Sequence, residues 1–217
     1  MPHVVNIIGR LNRETRSFHE VADRLWYDLV DGQQPPTKYD YMRALVSAYG
    51  FEAPLEAALA YTPGFELCAG NRLRYRSGLI AQDLLQLGLS PSQLAEISQC
   101  LIAPFPKVLD ALGWFYVHER ALIVHEAIRR DLIALVPTIA TACSYLSTYS
   151  GSVGVHLDEV ASLMQRNAPS QVTQDRIVAG ALEAFRTLTV WLDKSGVHGG
   201  QLVPTLEPDV SERGPSA

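Results

Sequence analysis

Apolar residues recur at helical spacing along most of the chain, and stretches that alternate like strands are scarce. Leu11, Phe18, Leu25 and Leu29, with Val21 and Ala22 beside them, predict a first helix over 9–31. Asp31-Gly32-Gln33-Gln34-Pro35-Pro36 ends it. Thr37 is the expected N-cap of a second helix, with Asp40 in its first turn. That helix runs to about Ala60, and Pro54 should kink or divide it. A third helix is expected over 71–87, stopping at Gly88. Ser90 and Pro91 open a short one as N-cap and first residue. A long helix over 107–135, one from Pro137 to Tyr149, and helices over 157–166 and 171–194 complete the pattern. Ser150-Gly151-Ser152-Val153-Gly154 reads as a flexible link. The last helix has the clearest apolar stripe, Ile177, Ala181, Leu182, Phe185, Leu188 and Leu192. No repeat of solenoid length occurs. The expected fold is all-α, a single-domain multi-helical bundle over 1–196, with a flexible C-terminal tail over 197–217.

Composition leaves this picture unchanged and narrows the function. The chain has 217 residues, 47% of them hydrophobic and 19% charged, enough for a real core. A net charge of -5 speaks against nucleic-acid binding. No apolar run reaches the length of a membrane span, and the N-terminus lacks the layout of a signal peptide. Cys68, Cys100 and Cys143 lie far apart with no CxxC spacing, so reduced thiols and a cytoplasmic location are expected.

His19 is the first candidate for chemistry. It lies four residues before Asp23, so the two share a helix face, and that carboxylate could orient the ring for a metal. Arg16 lies one turn earlier, among Arg10, Arg13 and Arg24. One imidazole and nearby cations are what a haem needs for its iron and propionates. The same residues also suit an ordinary solvated helix face. His118 and His125 share a face two turns apart, about 10 Å, too far for one metal ion on a straight helix. Leu122 stands where an HExxH motif starting at His118 needs its second histidine. His118 is therefore expected to make a surface or interhelical contact.

The stretch Leu11 to Asp23 resembles the first helix of haem oxygenases, with Thr15 four residues before the histidine and an Ala22-Asp23 pair after it. Tyr39 to Leu59, Leu79 to Gly88 and Phe185 to Trp191 are similar to segments of the bacterial, biliverdin-producing members, so the resemblance covers about residues 10 to 194. It implies a haem held between a proximal helix and a distal helix, and its oxygen-dependent cleavage to biliverdin, carbon monoxide and iron. It casts His19 as the iron ligand, Asp23 as its oriented partner and Arg16 as a propionate contact. It also implies an electron donor, ferredoxin or a reductase, and admits a bacteriophytochrome as recipient of the bilin. Distal water would be held from the helix after Pro137, by Thr138, Thr141 or Ser144.

The distal segment matches the family opening Gly-x-x-Tyr-Val-x-Glu at Gly113, Tyr116, Val117 and Glu119. It then departs from it. Arg120 stands at one expected glycine, and Val124-His125 at the expected Gly-Gly pair. These residues cannot reproduce a glycine's close backbone approach. Three outcomes are open: His125 ligates iron from the distal side, the pocket is closed, or the helix lies further off with catalysis retained. A catalytically inactive haem- or bilin-binding protein or scaffold on the same fold is the alternative function. A di-iron oxidase is disfavoured because no Glu-x-x-His occurs. A thiaminase-like hydrolase would rest on Cys143.

Overall fold

The structure is a computed structural model that describes residues 6–32, 34–70 and 75–194. Among these residues it is all-α, with no strand. Helices α1 (Ile7–Glu14) and α2 (Arg16–Val30) take the place of the single helix expected over 9–31. The cause of the break is Thr15, whose hydroxyl bonds back to the Leu11 carbonyl at 2.8 Å. Such back-bonding bends a helix.

Helix α3 (Lys38–Ala60) starts as expected. Thr37 and Asp40 form a reciprocal capping box, with Thr37 N donating to Asp40 Oδ2 at 2.7 Å. Pro54 does not divide this helix. The Gly50 carbonyl, which a residue with an N–H at position 54 would bond, instead accepts from Cys100 N at 2.7 Å. Gly50 also admits the Trp191 ring, since a Cβ there would overlap that ring and the Ser98 carbonyl. Trp191 Nε1 donates to Ser47 O at 2.9 Å, which ties the C-terminal helix to α3.

Phe65–Ala69 (α4) follows Gly64, whose φ is +78°. Ser77–Gln86 (α5) occupies the described part of the helix expected over 71–87; its first expected residues, 71–74, lie outside the described residues. Pro91–Ala95 (α6) has the expected Ser90 cap. The helix expected over 107–135 is two, α7 (Val108–Arg120) and α8 (Leu122–Leu135), meeting at Ala121. Pro137 starts only a 3-10 turn, Pro137–Ile139, and turns rather than a helix lead to Tyr149. Helix α9 (Val153–Asn167) begins inside the expected flexible link, and α10 (Gln171–Lys194) is as expected. The tail expected over 197–217 lies outside the described residues.

Two apolar clusters form the core. One gathers α1, α7, α9 and α10 around Leu11, Phe115, Leu163 and Phe185. The other gathers α2, α5 and α8 around Trp26, Leu84, Ile128 and Tyr145. Helix α3 contributes to both. No helix among the described residues is long and apolar enough to cross a membrane.

Candidate functional site

His19 sits on the first turn of α2, half-buried, with its ring 5.6 Å from that of Phe185. Its Nε2 lies 2.9 Å from Thr15 Oγ1. That hydroxyl has spent its proton on Leu11 O, so it accepts here, and Nε2 carries the hydrogen. The Nδ1 lone pair is then the ring's acceptor. Burial, and then Arg120, lower the His19 pKa, with Asp23 acting the other way. The result is a neutral imidazole at pH 7, the form that ligates metals.

Asp23 does not orient His19 through a bond of its own. Its two carboxylate oxygens each accept from Arg120, at 2.8 Å and 2.8 Å. The pair is buried and joins α2 to the end of α7. Arg120 is the residue at one of the expected glycines. It thus fills the space beside His19 that a bare backbone would leave open. Arg16 is exposed on α2. Tyr116 donates from its hydroxyl to Asn12 Oδ1 at 2.7 Å.

Val124 and His125 point into the second apolar cluster. Val124 belongs to it. His125 is fully buried, 4.7 Å from the Tyr145 ring and 6.0 Å from Trp26. Neither ring nitrogen has a hydrogen-bond partner. Trp26 is seven residues beyond His19, about 10 Å along α2. His125 therefore packs two turns away from His19 rather than opposite it. Burial, reinforced by Arg76, brings its pKa down to about 3.

The proximal half of this arrangement suits a haem, since it offers a neutral, half-exposed imidazole. The distal half does not. The Arg120–Asp23 bridge ties α2 to α7 beside it, and the neighbouring cavity between α2, α3, α7 and α10, lined by Ala22, Trp26 and His118 and not by His19, has about 50 Å³. Organic-ligand pockets take roughly 300–1,000 Å³. As closed here, the residues do not accommodate a porphyrin. Of the distal-water candidates, Thr138 and Thr141 are exposed, and Ser144 N is bound to Asp83 Oδ1 at 2.9 Å.

A second set of groups went unrecognised in the sequence. Glu52 and Glu56 of α3, Arg76 at the start of α5, His118 and Glu119 of α7, Tyr145 and His156 of α9 are all buried together. Arg76 Nη2 donates to His118 O at 2.7 Å and reaches Glu52 Oε1 at 3.3 Å. Tyr145 donates to the same Glu52 oxygen at 2.5 Å. Glu56 Oε1 accepts from Arg76 N at 2.5 Å and Ser77 N at 3.0 Å, and its other oxygen accepts from the Ser77 hydroxyl. Glu119 holds His118 Nδ1 at 2.9 Å and His156 Nε2 at 2.5 Å. Burial disfavours the charged form of Glu52, but Arg76 and His118 outweigh it and hold the pKa at about 2. Burial and Arg76 likewise push His118 down, while the bond to Glu119 and the Glu52 carboxylate hold it up at about 10. His118 makes the interhelical contact expected of it. Its acidic company on α3 had one signal in the sequence: two glutamates four apart, on one face, in the half of the helix after Arg43 that carries no other charge.

No protein-family model matches the chain, and no curated protein matches it.

Proposed function

We propose that this chain is a haem-oxygenase-like binding protein that does not cleave haem. Its ligand would be a tetrapyrrole bearing propionates, admitted beside His19 only when α2 and the end of α7 separate and the Arg120–Asp23 bridge opens. The observation that carries this reading is the buried, bidentate Arg120–Asp23 bridge at an expected glycine. A guanidinium held by one carboxylate can exchange it for a ligand's propionate with the same fork geometry. Exposed Arg16 offers a second cation one turn before His19. A closed distal side, with Val124 and His125 in the core, leaves no room shaped for oxygen. This function needs no ferredoxin or reductase.

One observation favours the second reading, a working haem oxygenase that gives biliverdin, carbon monoxide and iron. The distal helix is interrupted at Ala121, next to Arg120, which stands at one of the expected glycines. Titration with haemin and with biliverdin separates the readings. We expect one equivalent of either to bind, His19→Ala to alter the haemin Soret band, and the haemin complex to persist under reductant and oxygen. Arg120→Ala should weaken both ligands about tenfold or more, as loss of a charge-assisted bond worth about 1.5–3 kcal/mol requires. Decay of the Soret band to a biliverdin spectrum would establish the enzyme. Failure of both ligands to bind would end the tetrapyrrole reading.

A further inference from the structure

We infer that Glu52, Glu56 and His118 form a buried site for one divalent first-row transition-metal ion. The site does not rest on the tetrapyrrole reading, which concerns His19, Asp23 and Arg120. His118 Nε2, Glu52 Oε2 and a Glu56 oxygen lie within 4.8 Å of one another. Nε2 stands 3.5 Å from Glu52 Oε2 and 3.5 Å from Glu56 Oε1. These separations exceed the N–H···O range of about 2.7–3.2 Å. They match the edge of a tetrahedron, about 3.4 Å, around an ion with bonds of about 2.0–2.2 Å.

The hydrogen bonding points the same way. Glu52 divides its oxygens: Oε1 takes Tyr145 and Arg76, while Oε2 has no hydrogen-bond partner and only His118 Nε2 near it at 3.5 Å. His118 Nε2 has no hydrogen-bond partner either. Both side chains are more than nine-tenths buried, so no solvent compensates them. Without an ion these atoms have only the long His118–Glu52 and His118–Glu56 ion pairs at 3.5 Å, and a cation between them would replace those with direct bonds. His118 Nδ1 is bonded to Glu119, and Glu119 is held in turn by His156. A carboxylate on the far nitrogen is the usual device that aims a metal-binding imidazole. Glu56 is fixed by the backbone N–H groups of Arg76 and Ser77 on Oε1 and by the Ser77 hydroxyl on Oε2, and would give up one of these bonds to serve as the third ligand.

Arg76 opposes a cation, but the local charges still balance. Glu52, Glu56 and Glu119 carry three negative charges; a divalent ion that displaces the Nε2 proton of His118 would neutralise them together with Arg76. Two carboxylates with one imidazole suit Zn²⁺, Fe²⁺ or Mn²⁺. Three protein ligands leave a coordination position for water or a substrate.

The test loads the full chain, stripped with a chelator, with Zn²⁺ alone and counts ions after gel filtration. One equivalent should remain, with a zinc-edge X-ray absorption spectrum of oxygen ligands and one imidazole. Glu52→Gln keeps an acceptor for Tyr145 but should lose the ion, and Glu119→Gln should bind it about 10–100-fold more weakly. Three results would each overturn the site: no retained ion, a spectrum without imidazole, or retention undiminished in a folded Glu52→Gln protein. If Glu52→Gln does not fold, Glu119→Gln and the spectrum of the wild-type chain decide.

Discussion

A histidine with no partner for either nitrogen is costly, and His125 is such a residue. It faces Trp26 and Tyr145, and the charges of Arg76 and His118 repel its proton while those of Glu52 and Glu119 attract it. Burial dominates, so the folded chain takes up that proton only near pH 3, whereas an unfolded histidine takes it up near 6.5. Between these values the unfolded state binds more protons, and stability falls as the pH falls. His125→Leu should remove this part of the acid loss. It should also raise stability at neutral pH by about 1 kcal/mol, because an orphaned polar ring gives way to an apolar side chain of similar size. Urea unfolding across the acid range reads both effects. An unchanged acid slope in the variant would show that His125 is not the group responsible.

The helix pair α7 and α10 owes its close approach to two glycines. A Cβ at Gly113 would overlap Ile177 O and Ala181 N, and one at Gly180 would overlap Asp110 O. Asp110 and Arg176 clasp the same crossing, at 2.6 and 3.0 Å. Gly113→Ala should therefore cost about 3 kcal/mol, the upper range for overpacking, and a shift in the denaturation midpoint measures it. A loss under 0.5 kcal/mol, typical of surface changes, would mean that the helices can part without penalty. Gly113 was legible as the opening of the distal segment, but not as the seat of α10, because that partner lies over sixty residues away. The same limit explains the other differences. Periodicity located nearly every helix, and the Thr37 and Ser90 caps were readable from neighbours three residues on. Breaks at Thr15 and Ala121 were not, since both lie inside unbroken apolar patterns. Pro54 signalled a division, but Cys100, distant in sequence, supplies the missing bond. His19, Asp23 and Arg120 could be singled out by pattern; that Arg120 holds Asp23 is a fact of tertiary packing. The Glu52–His118 cluster was hidden because its members come from separate helices, each helix showing only one or two of them.

At the scale of the molecule, the polar layer around Glu52 and His118 lies between α3, α5, α7 and α9, while the Arg120–Asp23 bridge fastens α2 across α7. These two devices differ in what they must permit. The α7–α10 pair is locked by glycine contacts and apolar packing from end to end, and nothing in the proposed function requires it to move. Helix α2 is different: a tetrapyrrole can enter beside His19 only if α2 and the α7–α8 bend separate and the bridge opens. Elements that must open for a ligand belong to the less stable part of a protein. Amide hydrogen exchange should then rank the helices. Amides of α7 and α10 should exchange slowest, at the rate of global unfolding, and those of α2 faster. Haemin or biliverdin should slow α2 and α8, and should slow α7 and α10 as well, because global unfolding also releases the ligand. Equal protection of α2 and α7 in the free protein would mean that the bridge is a fixed strut, and the cleft beside His19 would then have no way to admit a ligand.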